Sequence, residues 1–254
     1  MRILVCVKRV PATGGQISLT ADARDIDTRY LGFTISPHEE CAVEEAVRIV
    51  ETHGGTSVVL TLGPASAVDQ LRDAMAIGIE RAVLLETDGS DWDPGATASA
   101  IVDAIRGLEA ADGPFDVILF GNESADSGGF QVGIRVADAL DRPIVSGAKG
   151  LAIDGGSATV RRQAAGGWEE FDIELPAVVS VREGINLPRY PSVPGRLRAK
   201  KKDIEHVTPE RRPLGPELIR LSVPVEQSAS VEILGTGPEA APRVVEILRE
   251  IGVL

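Results

Sequence analysis

Two polar segments of this chain have the residue types and spacing to hold a small anionic ligand. The first, residues 121–133, is rich in glycine and lies between an apolar run and a helix-like pattern. The second, residues 36–39, opens another helix pattern, with Ser36 as candidate N-cap and Pro37 at the first helical position. Free backbone N–H groups and the positive end of the helix dipole favour phosphate at such positions. Both segments therefore favour a nucleotide held by backbone contacts.

Two more candidate segments, residues 6–11 and 62–64, follow apolar runs that read as strands. Ligands of open α/β sheets bind at the carboxyl ends of strands, so we expect all four segments to lie near one another. The chain has no Walker A sequence, no GxGxxG and no Ser/His/Asp or Cys/His arrangement. A Gly-rich segment is also common as an ordinary turn, so the residues alone leave phosphate binding and a plain loop as alternatives.

The elements that must position these segments alternate between short apolar runs and amphipathic stretches. This β-α-β order predicts an α/β fold with a doubly wound, mostly parallel sheet and helices on both faces. Strands are predicted at 3–7, 57–62, 81–86, 115–120 and from 144, and helices at 37–51, 64–77, 93–108 and 128–140.

After residue 148 the pattern changes to short strands joined by Gly-rich turns, at 150–153, 158–163 and 168–173. These predict a small antiparallel extension of the sheet, before a buried strand at 175–181. We expect one α/β domain over residues 1–208. Residues 209–254 are rich in Pro and polar residues and end in a helix at about 238–250. This C-terminal arm either packs on a partner subunit or lies on its own domain, and the pattern alone does not separate the two.

Composition limits the class of protein. The chain has 254 residues and a formal net charge of −12, and no apolar run approaches the length of a membrane-spanning helix. The N-terminus reads as a strand and not as a secretory signal, so we expect a cytoplasmic location and no embedding in a membrane. The two cysteines and three histidines are scattered, which predicts that no metal is bound.

A basic tract, residues 188–202, stands out against the acidic total. It holds six of the 26 Lys and Arg residues, and three prolines keep its first part out of helix and sheet. A solvated loop is the simplest interpretation. A docking surface for a protein partner is the alternative, while the net charge argues against nucleic acid.

Three stretches give the chain a resemblance to a known family. They are residues 3–11, Cys41-Ala42-Val43-Glu44-Glu45-Ala46, and residues 160–202, which include Asn186-x-Pro188-Arg189-Tyr190-Pro191 and Ala199-Lys200-Lys201-Lys202. The chain resembles the beta subunit of electron transfer flavoprotein over nearly its whole length.

The resemblance implies a subunit without catalytic turnover of its own. It would pair with an alpha subunit that holds FAD, bind AMP as a structural nucleotide, and carry electrons from acyl-CoA and related dehydrogenases of fatty acid oxidation to a membrane quinone oxidoreductase. His38 would lie near the flavin, or would be a surface histidine beside a helix cap. The residues that the resemblance assigns to the cofactor site are Cys6, Val7, Ser36, His38, Glu39, Leu62, Gly63, Asp126, Gly128, Gly129, Phe130, Gln131, Val132 and Gly133.

The basic tract matches the family's recognition loop, with Val193 as the apolar anchor. The implied partner-binding residues are Tyr190, Val193, Arg196, Arg198, Lys200 and Lys201. The chain departs from the family at residues 127–130, where Phe130 stands in the nucleotide loop. Two alternatives follow: an electron-bifurcating subunit with a second FAD in place of AMP, or a free-standing adenine-nucleotide-binding stress or signalling module.

Overall fold

The computed structural model describes residues 1–12, 14, 17–213, 215, 218–223 and 232–254. Its strands are β1 Arg2–Cys6, β2 Val10–Pro11, β3 Phe33–Thr34, β4 Thr56–Gly63, β5 Arg81–Glu86, β6 Val117–Gly121, β7 Ile144–Asp154, β8 Ser157–Ala164, β9 Gly167–Glu174, β10 Ala177–Val181 and β11 Glu205–Val207. Its α-helices are α1 Pro37–His53, α2 Val68–Ile77, α3 Pro94–Asp112, α4 Val132–Ala139, α5 Val193–Lys201 and α6 Ala241–Glu250, and short 3-10 helices precede α2 and α6.

The main sheet has nine strands in the order β11-β5-β4-β1-β6-β10-β7-β8-β9. Each pair of neighbouring strands from β11 to β7 is parallel, whereas the β7–β8 and β8–β9 pairs are antiparallel. The chain winds outward from β1 through β4 to β5 and then returns to β6 on the other side of β1. The gap between the carboxyl ends of β1 and β6 is therefore the topological switch point, where open sheets hold ligands.

Alternate residues of β1 face opposite layers of the core. Ile3 and Val5 pack with α1 and α2 on one face of the sheet. Leu4 and Cys6 pack with α3 and α4 on the other. Because the central strands are buried on both faces, they consist of continuous apolar residues and not of an alternating pattern. The predicted doubly wound sheet with its antiparallel extension is confirmed.

Two segments differ from their predicted structure. Helix α4 begins at Val132 and not at Gly128, because Gly128 and Phe130 have left-handed backbone angles (φ of 53° and 55°) that do not continue a helix. The predicted recognition loop is a helix over its second half. Ser192 caps α5 by accepting a hydrogen bond from the Gly195 N–H, and Arg198, Lys200 and Lys201 lie in its last turn, where the helix dipole favours cations.

The predicted C-terminal helix is present as α6. Its apolar side chains Val244 and Val245 are partly exposed, and Ile251, Val253 and Leu254 beyond it are more so. Residues 214, 216, 217 and 224–231 of the predicted arm lie outside the described residues, so its packing stays a prediction. Within the described part of the chain, no helix combines the length and apolar character needed to cross a membrane.

Candidate functional site

A cleft of about 390 Å³ opens beside the switch point. It lies where the start of α1 faces the loop that follows β6. The residues that line it are Ser36, Pro37, His38, Glu123, Ser124, Ala125, Asp126, Ser127 and Gly128.

The start of α1 is fixed by a reciprocal pair of hydrogen bonds. The Ser36 hydroxyl accepts from the Glu39 N–H at 3.2 Å, and the Glu39 carboxylate accepts from the Ser36 N–H at 2.8 Å. This capping box satisfies N–H groups that the first helical turn leaves unpaired. The other Glu39 oxygen accepts from the Lys8 N–H at 2.8 Å, and the Ser36 hydroxyl donates to the Glu123 carbonyl at 3.1 Å. The capping box thus joins the ends of β1 and β6 to α1.

Glu39 is a buried carboxyl in a tight space. Burial raises its pKa to about 7, and the hydrogen bonds from Ser36 and Lys8 only partly offset this effect. A Cβ atom placed on Gly121 would lie 2.5 Å from the Glu39 Cγ, so β6 requires glycine at this position. Burial, together with the Glu39 charge, also raises the pKa of the Cys6 thiol, which makes it a poor nucleophile.

His38 is held at both ring nitrogens. Its Nδ1 lies 2.8 Å from the Glu183 N–H and accepts that hydrogen bond. Its Nε2 lies 3.2 Å from the Glu123 carboxylate. Because Nδ1 accepts, the proton of a neutral ring must be on Nε2, from which it is donated to Glu123. His38 is therefore a fixed hydrogen-bond donor at the edge of the cleft.

Lys8 and Asp126 form an ion pair of 2.7 Å between the end of β1 and the loop after β6. Burial alone would raise the pKa of Asp126. The Lys8 charge and the hydrogen bonds from Ser124 and the Ser127 N–H outweigh that effect and hold the pKa below its usual value. The pair keeps one positive and one negative charge close to the cleft.

The loop before α4 leaves backbone donors available. Gln131, the N-cap of helix α4, makes no side-chain capping hydrogen bond. Gln131 instead accepts hydrogen bonds from Arg135 through its amide oxygen. Gly133 lies so close to Ser180 and Phe120 that an added Cβ would approach both within 3.2 Å. The first turn of α4 is thus packed tightly against the sheet with its N–H groups uncapped by a side chain.

The structure brings together only some of the residues assigned from the sequence. Ser36, His38, Asp126 and Gly128 line the cleft, and Glu39 lies beneath it. The other assigned residues do not line it. They are Cys6, Val7, Leu62, Gly63, Gly129, Phe130, Gln131, Val132 and Gly133.

Among these residues, Cys6 and Val7 at the end of β1 have side chains and backbone groups that are already engaged within the protein. The side chains of Cys6 and Val7 are buried in the two core layers. The Val7 N–H donates to the Leu60 carbonyl, and its carbonyl accepts from the Thr61 hydroxyl. Phe130 is 52% exposed and is not among the core residues.

Two residues that organise the cleft were missing from the assigned set. The Glu123 carboxylate accepts a hydrogen bond from the His38 ring, and the Glu123 carbonyl accepts one from the Ser36 hydroxyl. Lys8 supplies the cation opposite Asp126. Both lie within polar segments that follow predicted strands, which was the available signal in the sequence.

The basic tract forms a second, separate surface. Tyr190 is 96% exposed and Val193 is 71% exposed, and Leu197 lies one helical turn beyond Val193. Arg196, Arg198, Lys200 and Lys201 are exposed on α5, and Arg196 lies 3.7 Å from Asp73. The surface combines apolar side chains with free positive charge.

The polar groups of the cleft are held in fixed positions by contacts within the chain. The titratable groups of the cleft are bonded to each other or to backbone, and Cys6 lies beneath it as a buried thiol. Across the residues that the structure describes, no three His, Cys, Asp or Glu side chains group closely enough to hold a metal ion.

A doubly wound sheet with a polar cleft at its switch point defines the class of open-sheet α/β proteins that bind ligands at strand ends. Residues 25–211 match the electron transfer flavoprotein domain family. The chain is 33% identical over 259 residues to the electron transfer flavoprotein subunit beta of Bacillus subtilis (strain 168), which covers 98% of each chain. The chain belongs to the electron transfer flavoprotein beta-subunit family, a family of electron carriers.

Two further relatives carry the same name. The subunit beta of Syntrophomonas wolfei is 33% identical over 250 residues, or 98% of this chain and 96% of the relative. The mitochondrial subunit beta of Oryza sativa subsp. japonica is 33% identical over 249 residues, or 96% of this chain and 97% of the relative. The predicted family is thus confirmed over nearly the full length.

Proposed function

We propose that this chain is the beta subunit of a heterodimeric electron transfer flavoprotein in the cytoplasm. It pairs with an alpha subunit that holds FAD, and the heterodimer carries electrons from acyl-CoA and related dehydrogenases to a membrane quinone oxidoreductase. The match to beta subunits over 96–98% of the chain carries the proposal. A cleft whose polar groups bind and orient, without a reactive nucleophile, supports a carrier role.

The nucleotide of this subunit is proposed to be AMP with a structural role. The residues around the switch point fit such a ligand. The uncapped first turn of α4 and the Lys8 ammonium favour a phosphate, and the Glu123 and Asp126 carboxylates accept hydrogen bonds from hydroxyl or amino groups. The left-handed angles at Gly128 and Phe130 shape the loop between these groups.

The redox chemistry is supplied by FAD, which is bound mainly by the alpha subunit. In this chain, His38 is the residue proposed to face it. The contacts to Glu183 and Glu123 orient the ring, so that its position does not depend on solvent. The neutral ring is held with its Nε2 proton engaged, which limits it to orienting and excluding water.

The partner surfaces are proposed to be separate from the cleft. The exposed Tyr190, Val193 and the cations of α5 dock the dehydrogenase, with the apolar groups as anchor and the charges as the steering field. The exposed apolar residues of α6 and the chain end pack on the alpha subunit.

The test is to co-express the chain with its alpha subunit, purify the complex, denature it and separate the released nucleotides by chromatography. We expect one FAD and one AMP per heterodimer. Two FAD and no AMP would replace this function by the electron-bifurcating alternative. An adenine nucleotide bound to the chain alone, with no flavin and no alpha subunit retained, would favour the stress or signalling module instead.

A further inference from the structure

Residues 183–189, here called the strap, run along one side of helix α1 from the cleft to the basic tract. The Glu183 N–H donates to His38, the second residue of α1. The Asn186 amide donates to the Cys41 carbonyl and to the Glu45 carboxylate, both at 2.9 Å. Arg189 then reaches the Glu44 carboxylate. The contacts recur every three residues of the strap, so the strap is fastened along the helix and ends where the docking residues begin.

Of these strap residues, Arg189 makes the most hydrogen bonds to α1. Its guanidinium makes hydrogen bonds of 2.7–3.1 Å to Glu44 and to Glu51, and its N–H donates to Glu44 as well. The Glu44 side chain is only 5% exposed, so without Arg189 it would be a buried carboxylate lacking its cation. Removing only one partner of such a pair destabilises the fold, because the other charge is left buried without a partner.

The other cations of the tract are used differently. Within the described residues, Arg198, Lys200 and Lys201 make no ion pair. The far end of the tract is fastened through backbone. Arg72 donates to the Ala199 carbonyl at 2.6 Å, and Lys202 donates to the Glu80 carbonyl at 2.9 Å. Helix α2 therefore holds the second half of the span 190–198, where Gly195 is buried against Ala76, and Arg189 holds its first end.

Packing alone does not hold the first of these ends. A recess of about 410 Å³ lies between the last turn of α2 and residues 189–192. The side chain of Tyr190 is 96% exposed and makes no contribution to the core. Since apolar contacts are few here, the direction in which residues 190–193 leave the strap is set by the polar contacts of Arg189.

We propose that Arg189 is a positioning residue, which clamps the strap to α1 and thereby fixes Tyr190 and Val193 for docking. The inference rests on the proposed function, since it assumes that residues 190–198 dock a dehydrogenase. Arg189 acts through geometry, whereas the neighbouring Arg198 acts through charge alone.

The experiment compares Arg189→Gln with Arg198→Gln in the purified heterodimer, because both remove one positive charge from the same tract. Hydrogen exchange of amides 190–198 is measured by mass spectrometry, and docking is measured by titration with a purified acyl-CoA dehydrogenase at low and high salt. Arg189→Gln is expected to speed exchange at least about tenfold and to weaken docking at both salt concentrations. Arg198→Gln is expected to leave exchange unchanged and to weaken docking at low salt only.

A double variant, Glu44→Gln/Arg189→Gln, separates positioning from the cost of the buried charge. It removes the unpaired carboxylate, so thermal stability recovers relative to Arg189→Gln, but exchange of residues 190–198 stays fast. Unchanged exchange in both Arg189 variants would overturn the proposal. If the wild-type protein does not bind the dehydrogenase while Arg189→Gln still loosens the span, then the docking function fails and the clamp stands.

Discussion

The cleft and the basic tract are both polar surfaces, but they use their charges in opposite ways. In the cleft, Lys8 pairs with Asp126, and the Glu123 carboxylate accepts a hydrogen bond from His38. On α5, Arg198, Lys200 and Lys201 have no such partners among the described residues. The charged side chains of the cleft therefore fix its geometry, whereas the cations of the tract are free to attract a partner at a distance.

This difference separates two kinds of recognition. A ligand that stays bound needs fixed donors and acceptors, and each must be satisfied because the site is partly buried. A partner that binds and leaves needs long-range attraction and a small apolar anchor. The chain contains both surfaces in one fold, and substitutions in the two are expected to change different observables.

The largest expected effect concerns Glu39, the buried carboxyl of the cleft. Its pKa rises from the usual 4.5 to about 7 on folding. The folded state therefore binds one more proton than the unfolded state between these values, and the free energy of unfolding falls as pH rises through this window. We expect a loss of roughly 3 kcal/mol from this group between pH 4.5 and pH 7, measured by urea denaturation across pH.

Glu39→Gln removes the titration and is expected to flatten this part of the pH profile. Glu174→Gln, at an exposed carboxylate of β9, is the control and should keep the wild-type profile. A Glu39→Gln protein with the same pH dependence as wild type would show that Glu39 does not titrate near neutrality.

The second effect tests how tightly the cleft is packed. In Gly121→Ala, the added methyl would meet the Glu39 side chain at 2.5 Å and its N–H at 3.0 Å. We expect a loss of about 2 kcal/mol in unfolding free energy, because the capping box must shift. Gly129→Ala is the matched control, since a Cβ there meets nothing within 4 Å. Equal losses in the two variants would contradict the close approach of β6 to α1.

The third effect lies in the tract and changes docking without changing stability. Val193 is 71% exposed, so Val193→Asp is expected to alter the unfolding free energy by less than about 0.5 kcal/mol. Reduction of the heterodimer by a purified acyl-CoA dehydrogenase should slow at least about tenfold, because an apolar anchor is replaced by a charge. Ile17→Asp, at another exposed apolar residue, is the control. Unchanged electron transfer in Val193→Asp would sink the docking assignment.

The smallest effect concerns the free charges of α5. Lys200→Gln/Lys201→Gln should lower the association rate with the dehydrogenase about two- to threefold at low salt and leave it unchanged at high salt. Stopped-flow mixing at several ionic strengths measures this. A decrease that persists at high salt would mean that these lysines make direct contacts and do not only steer.

Most of the fold could be predicted from the sequence because its signals are local. The apolar run at β4 and the Ser36-Pro37 start of α1 each specify an element without reference to the rest of the chain. The Gly-rich turns around β8 and β9 predicted the antiparallel extension in the same way. The three-residue strand β11 was not predicted, because its pairing with β5 depends on tertiary position and not on its own residues.

The cleft could be predicted only in outline. The rule that ligands bind at the carboxyl ends of strands located Ser36 and Asp126. It could not show that the Val7 backbone is already hydrogen-bonded to Leu60 and Thr61. The same rule could not show the hydrogen bond between His38 and Glu123, which are 85 positions apart in the sequence. Such pairings follow from three-dimensional packing, which a single sequence does not display.

The structure of the basic tract also could not be predicted fully from its sequence. Its prolines predicted a loop, yet Pro194 lies in the first turn of α5, where proline is tolerated and Ser192 supplies the cap. Arg189 was counted with the other cations, although its partners Glu44 and Glu51 lie on a distant part of the chain. Charge counting does not distinguish a cation that is paired from one that is free.

The short strand β11 decides where this chain can be divided. It covers the outer edge of β5, while the opposite edge of the sheet, β9, carries acidic side chains along its length. Unpaired strand edges promote self-association, and acidic residues discourage it. A fragment that stops after α5 would lose its cover on β5 and is expected to aggregate, whereas one that extends through Val207 keeps both edges protected. We therefore expect a boundary for dissection or for fusion to another protein to be tolerated after β11 and not before it.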